Sequence, residues 1–92
     1  MYKIVFREDA EKQFLKLEKE IQKRISKTLE KIRFRPYSFV ERLVGLPYYK
    51  LKVGKFRVLL NIKPEEEVIF IMRVGHRKNI YKEISKLLKY RD

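Results

Sequence analysis

The stretch YYKLKVGKFRVLLNI, residues 48–62, decides the fold. Two runs of β-forming residues flank Gly54-Lys55, and a two-residue loop with glycine first is what a type II′ hairpin turn requires. Once the turn is fixed, the register follows. Val53 opposes Phe56, Lys52 opposes Arg57, Leu51 opposes Val58 and Lys50 opposes Leu59. Side chains alternate across a strand, so Leu51, Val53, Phe56, Val58 and Leu60 share one face while Lys50, Lys52 and Arg57 share the other. The first face is core. The second sets like charges opposite each other, at a cost of a few tenths of a kcal/mol or more (roughly). Such a face either splays its cations into water or keeps them for an anion.

Working outward, the turn KPEEE (63–67) leads into VIFIMRV (68–74), whose nearly unbroken apolar run predicts a central strand buried on both faces. At the other end, YKIVF (2–6) reads as a strand, and Glu8-Asp9 offers an N-cap and negative charge for a following helix. Ala10, Phe14, Leu17, Ile21, Ile25, Leu29 and Ile32 then recur at helical spacing. One unbroken helix from 9 to 34 would be about 39 Å long, against a radius of gyration of about 12 Å for a domain of this size. The polar spot LEKE (17–20) is therefore expected to break it into a helical hairpin, which Arg35-Pro36 ends. Residues 36–47, PYSFVERLVGLP, carry proline at both ends and form a surface connection. Ile80, Ile84, Leu87 and Leu88 predict a short C-terminal helix. The sum is a single α+β domain over residues 1–92, ordered β-α-α-β-β-β-α. It combines an antiparallel-type four-stranded sheet, an N-terminal helical hairpin and a short C-terminal helix.

Composition narrows the function. Cysteine is absent and there is one histidine, which excludes disulfides and thiolate sites and leaves no metal site to expect. No apolar run approaches a bilayer's thickness and no signal peptide is read at the N-terminus, so a cytoplasmic protein is expected. The net charge is +12, and its distribution matters more than its size. Residues 1–41 mix 11 basic with 7 acidic side chains. Residues 42–64 hold Arg42, Lys50, Lys52, Lys55, Arg57 and Lys63 with no acid, and residues 68–82 add Arg73, Arg77, Lys78 and Lys82, again with none. A solvated face normally mixes signs; acid-free basic stretches point to a polyanion, with nucleic acid the default partner.

The segment VGHRKNIY (74–81) places the one histidine, two cations and a tyrosine just past a strand end. Gly75 is expected to turn the chain sharply, with His76, Arg77 and Lys78 on a loop and Tyr81 in the first turn of the last helix. Singly, each has a bland reading: a polar loop histidine, a solvated lysine, a tyrosine flanking Ile80. Arg77 is the hardest to dismiss.

Together, GLPYYKLKVGKFRVLLNI and VIFIMRVGHRKNIYKEI resemble the RelE toxins of the RelE/ParE superfamily, and the resemblance spans essentially the whole chain. It implies a ribosome-dependent mRNA endoribonuclease, held inactive by a RelB-type antitoxin and needing no cofactor. The family's paired strand lysines match Lys50 and Lys52, the arginine of the next strand matches Arg57, and Arg77 and Tyr81 match the arginine and tyrosine after the last strand. His76 fills a slot where the family accepts His or Lys. Phe56 stands where a tyrosine is common, and Val44 where some members carry a base. The implied chemistry is attack of a 2′-hydroxyl on its own phosphate, with Tyr81, activated by Lys50 and Lys52, as general base. Arg57 would steady the phosphorane and Arg77 bind the phosphate and serve the leaving oxygen. Arg42, Lys55, Arg73, His76, Lys78 and Lys82 would contact RNA, and the antitoxin is expected to be acidic and amphipathic. Three alternatives stay open: a ParE-like toxin acting on DNA gyrase, a non-catalytic basic RNA-binding module, and an inactivated relative of the toxin.

Overall fold

The hairpin register stands as read: Lys52 opposes Arg57 and Leu51 opposes Val58 in a computed structural model that describes residues 1–89. Gly54 takes a φ of +58° and Lys55 stays out of the positive region, as a type II′ turn demands. The two strands are β3 (Tyr49–Val53) and β4 (Phe56–Lys63), and β5 (Val68–His76) runs antiparallel to β4.

Around them lie β1 (Lys3–Phe6), α1 (Glu8–Leu15), α2 (Lys19–Ile32), β2 (Val40–Arg42) and α3 (Arg77–Lys89). The helical stripe does break near LEKE, giving the hairpin α1–α2, and the radius of gyration is 12.5 Å. Arg7 rather than Glu8 or Asp9 occupies the N-cap of α1 and makes no side-chain cap bond. The acids sit in the first turn instead, where they still favour the helix dipole.

The α+β domain with its helical hairpin and C-terminal helix is as expected, but the sheet has five strands and is mixed, in the order β1-β5-β4-β3-β2. The supposed surface connection contributes β2, with Val40 opposite Leu51 and Glu41 opposite Lys50. β1 pairs with β5 in parallel, Lys3 with Val68 through Phe6 with Ile71. The middle strand is β4. β5 is internal, yet only Ile69, Ile71 and Val74 are fully buried, so one of its faces is only partly covered.

The helical hairpin packs on the sheet face carrying Leu51, Val53, Val58, Leu60, Ile62, Ile69 and Ile71, where Ile25, Leu29, Ile32 and Ala10 complete the main core. α3 crosses the opposite face, where Ile80 and Leu59 are buried beside the half-buried and charged side chains of that face. Among the described residues no helix is long and apolar enough to cross a membrane.

Candidate active site

The face predicted to carry cations is the one α3 crosses. Lys52, Arg57 and Gly75 form one cross-strand row; Lys50, Leu59 and Arg73 form the next. The bulge that leaves Met72 unpaired, between Leu59↔Arg73 and Leu60↔Ile71, restores this alignment at the end of β5.

Two findings correct the expected end of the strand. Gly75 makes no sharp turn: it pairs opposite Arg57 within β5, and β5 continues to His76 opposite Phe56. There is also no loop. The Arg77 N–H donates to the Lys55 carbonyl at 2.9 Å, so α3 starts directly on the hairpin turn. His76 lies edge-on to Phe56, with ring centroids 5.9 Å apart, and its Nδ1 accepts the Lys78 N–H at 3.3 Å. It caps the helix. Tyr81 therefore falls in the second turn of α3 rather than the first.

Helical geometry brings Arg77 and Tyr81, four residues apart, to one side of α3. Tyr81 is 43% exposed, and Lys50 Nζ lies 5.4 Å from its ring centroid. Arg57 is 5% exposed, with its Nη1 donating to the Gly54 and Phe56 carbonyls at 2.8 Å each. Hydrogen bonding to Arg57 is the leading cause holding the Tyr81 phenol below its ordinary pKa of 10.0. Partial desolvation opposes the shift, and the charges of Lys50, Arg57 and Arg77 reinforce it. Four of the five expected residues thus converge on one spot.

Lys52 is the fifth. It shares their face and opposes Arg57, but it is exposed and not among the charges acting on Tyr81. Arg57, not Lys52, joins Lys50 as the phenol's partner. Lys50 is itself moderated by Glu41 Oε2 at 4.0 Å, across the strand pair that the sequence did not disclose.

The wider cationic set divides. Lys78 and Lys82 are exposed on α3 and Lys55 at the hairpin tip, around the cluster. Arg42 pairs with Tyr49 and lies over its ring at 5.9 Å, which places it on the helical-hairpin face, away from Tyr81. Arg73 is engaged within the protein, with Nε 3.1 Å from Glu83 and Nη2 3.5 Å from Asp9. As an RNA contact it is withdrawn, because its charge is already met. Glu83 and Glu41 were the residues missed. Glu83 could have been noticed as the first acid after an acid-free stretch.

The first turn of α3 holds no acid, only Arg77 and Lys78. Cations there oppose the helix dipole by about 0.3–1 kcal/mol each. An anion bound beside the Arg77 and Lys78 side chains would turn that conflict into attraction. Chemically, the assembly suits a phosphate: positive charge on several sides and a phenol held below its ordinary pKa.

Comparison with known proteins bears on the family and the fold. A family model described as the ParE toxin of the type II toxin–antitoxin system parDE matches residues 4–81. A RelE-like toxin protein of Escherichia coli is 31% identical over 96% of this chain and 98% of its own length. The crystal structure of isolated E. coli RelE superposes with a TM-score of 0.76 at 28% identity, covering 96% of this chain and 99% of that one. RelE in the intact E. coli RelBE toxin–antitoxin complex gives 0.76 at 28% identity, covering 83% of this chain and 96% of that one. The chain belongs to the RelE/ParE family of type II toxins. Within that family it is a toxin of the RelE type.

Proposed function

We propose that this toxin is an endoribonuclease that cuts mRNA on the ribosome by internal transesterification. The observation that carries the reading is Lys50 Nζ 5.4 Å from the Tyr81 ring centroid, on the sheet face that Arg57 shares and that α3 crosses with Arg77. Tyr81, as phenolate, takes the proton of the 2′-hydroxyl, and the freed oxygen attacks the adjacent phosphorus. Negative charge grows on the phosphorane oxygens, where Arg57 and the exposed Lys52 stabilise it. Arg77, at the start of α3, holds the phosphate and donates to the departing 5′-oxygen. A phenol with an ordinary pKa is only about 0.1% ionised at neutral pH, so the surrounding cations raise the fraction of active base.

The cluster offers little to read a base, and it is open on one side. Ribosomal presentation of the message supplies the missing orientation in trans. Lys55, Lys78 and Lys82 are placed to meet rRNA or mRNA backbone around it. Such a toxin works in the cytoplasm. Its inhibitor is a RelB-type antitoxin, acidic and amphipathic, since a net charge of +12 has to be covered; RelE is held by RelB in the matched E. coli complex.

The matching family model bears the ParE name, which favours action on DNA gyrase as the competing reading. A defined mRNA on programmed ribosomes, treated with wild type and Arg77→Ala, separates the two. Cleavage of the bound message by wild type, slowed about a hundredfold or more in the variant, supports the nuclease. Equal cleavage by both proteins, or intact mRNA alongside inhibited gyrase, refutes it.

A further inference from the structure

Across α3 from Tyr81 lies a polar cluster with no part in the chemistry above. β1 ends at Phe6 opposite Ile71, so the edge of β5 beyond it has no neighbouring strand. Gln13 of α1 fills in: its Oε1 accepts the Val74 N–H at 2.8 Å. The amide nitrogen of the same side chain donates to both Glu83 oxygens, at 3.1 and 3.3 Å. Arg73 Nε meets Glu83 from the other side at 3.1 Å, while Nη1 donates to the Met72 carbonyl at 2.6 Å and Nη2 reaches Asp9. Glu83 is thus gripped from a helix and from a strand at once. Its side chain is 29% exposed and that of Arg73 26%, so both are largely shielded.

We propose that Glu83 is a positioning residue: tethered by Gln13 and Arg73, it fixes the rotation of α3 and so places Tyr81 over Lys50 and against Arg57. Residues on a helix advance about 100° each, which puts Glu83 about 160° around the axis from Tyr81, with Ile80 between them. Ile80 is buried against the sheet and acts as a fulcrum, but an apolar contact alone resists rotation weakly. Tyr81 is partly open to solvent, so packing holds it less firmly than it holds Ile80. A tyrosine oxygen sits about 9 Å from the helix axis, so a rotation of about 10° displaces it by about 1.5 Å. Misplacements of about 1 Å can slow an enzyme a hundredfold. The three cations facing Tyr81 are Lys50 from β3, Arg57 from β4 and Arg77 from α3. Lys50 and Arg57 stand on the sheet, so their distances to Tyr81 change together when the helix turns, while Arg77 moves with Tyr81.

The test uses full-length protein carrying Glu83→Ala or Glu83→Gln, with ¹³Cζ-tyrosine NMR titration of Tyr81 assigned by its loss in Tyr81→Phe. Glu83→Ala is expected to melt within a few degrees of the parent, because partly exposed ion pairs add little stability. Its Tyr81 titration should move up toward the ordinary tyrosine value, and single-turnover cleavage on programmed ribosomes should slow about ten- to a hundredfold with mRNA binding unchanged. Glu83→Gln keeps an acceptor for Arg73 and should recover most of both properties. An unchanged Tyr81 titration in Glu83→Ala overturns the inference, as does a slowed rate without that change. The cleavage arm rests on the nuclease reading, whereas the titration arm does not. A parent protein that cuts nothing would therefore sink the nuclease while leaving the tether to be decided by the NMR.

Discussion

Among the described residues Arg57 forms no ion pair, although it is only 5% exposed; its charge is met by two main-chain carbonyls at 2.8 Å. Two charge-assisted hydrogen bonds contribute about 1.5–3 kcal/mol each. Against them stand a desolvation penalty of several kcal/mol (roughly) for a buried ion and about 0.2–1 kcal/mol of repulsion from Lys52 across the strand pair. The terms nearly cancel. Arg57→Met keeps an apolar stem of similar reach, so unfolding free energy should change by less than about 2 kcal/mol in either direction. Truncating the equally buried Leu51 to Ala should cost about 2–5 kcal/mol. Activity should behave otherwise, since removing one electrostatic donor to a developing anion slows reactions about 10²–10³-fold. Urea unfolding followed by circular dichroism gives the first quantity, and single-turnover cleavage on programmed ribosomes gives the second. Arg57→Met losing more than about 4 kcal/mol would make Arg57 a keystone of the fold. Cleavage within about threefold of the parent would remove it from the chemistry.

Other substitutions probe separate parts of the site. With Tyr81 held below its ordinary pKa of 10.0, the cleavage rate should climb about tenfold per pH unit and level off before that value. Tyr81→Phe should be about 10²–10⁴-fold slower with no such climb, and a parental pH profile in that variant would exclude Tyr81 as the base. Gly75→Ala should melt within a few degrees of the parent, since the added Cβ would sit 3.5 Å from Ile80 Cδ1 in ordinary contact. Gly54→Ala should lose about 1–2 kcal/mol, because φ there is +58° and the new Cβ would lie 2.8 Å from Arg24 Nη2; equal melting of the two glycine variants contradicts both geometries. In salt titrations of RNA binding, Lys78→Gln should lower the slope of log K against log salt by about one, while Arg73→Gln leaves it unchanged. A reduced slope for Arg73→Gln would return that residue to the RNA surface.

The parts of this protein legible in its sequence are those with local causes. Gly54 ahead of Lys55 fixes a turn type, and through it the register that sets Lys52 opposite Arg57. Illegible parts have distant causes. β2 is three residues long and shows a single alternation, so only its pairing with β3 defines it. β1 finds a parallel partner in β5, at the other end of the chain. The ambiguity of Gly75 is different in kind. Glycine reads as a breaker, whereas here it is an ordinary strand residue paired opposite Arg57. Histidine is a weaker capping signal than Ser or Asp, so the start of α3 at Arg77 was hidden too. In the site, residue types and faces were apparent, but which cations touch the phenol was not. Lys52 and Arg57 look equivalent until one is seen exposed and the other buried on two main-chain carbonyls. Arg73 looked free because Asp9 and Glu83 reach it only through the fold.

A message whose scissile nucleotide lacks only its 2′-hydroxyl distinguishes internal transfer from every route that uses an outside nucleophile. On programmed ribosomes the toxin should cut the all-ribose message, leaving a 2′,3′-cyclic phosphate upstream and a 5′-hydroxyl downstream, and should leave the 2′-deoxy message whole. Cleavage of both messages at the same rate would show that Tyr81 and its cations are doing some other chemistry.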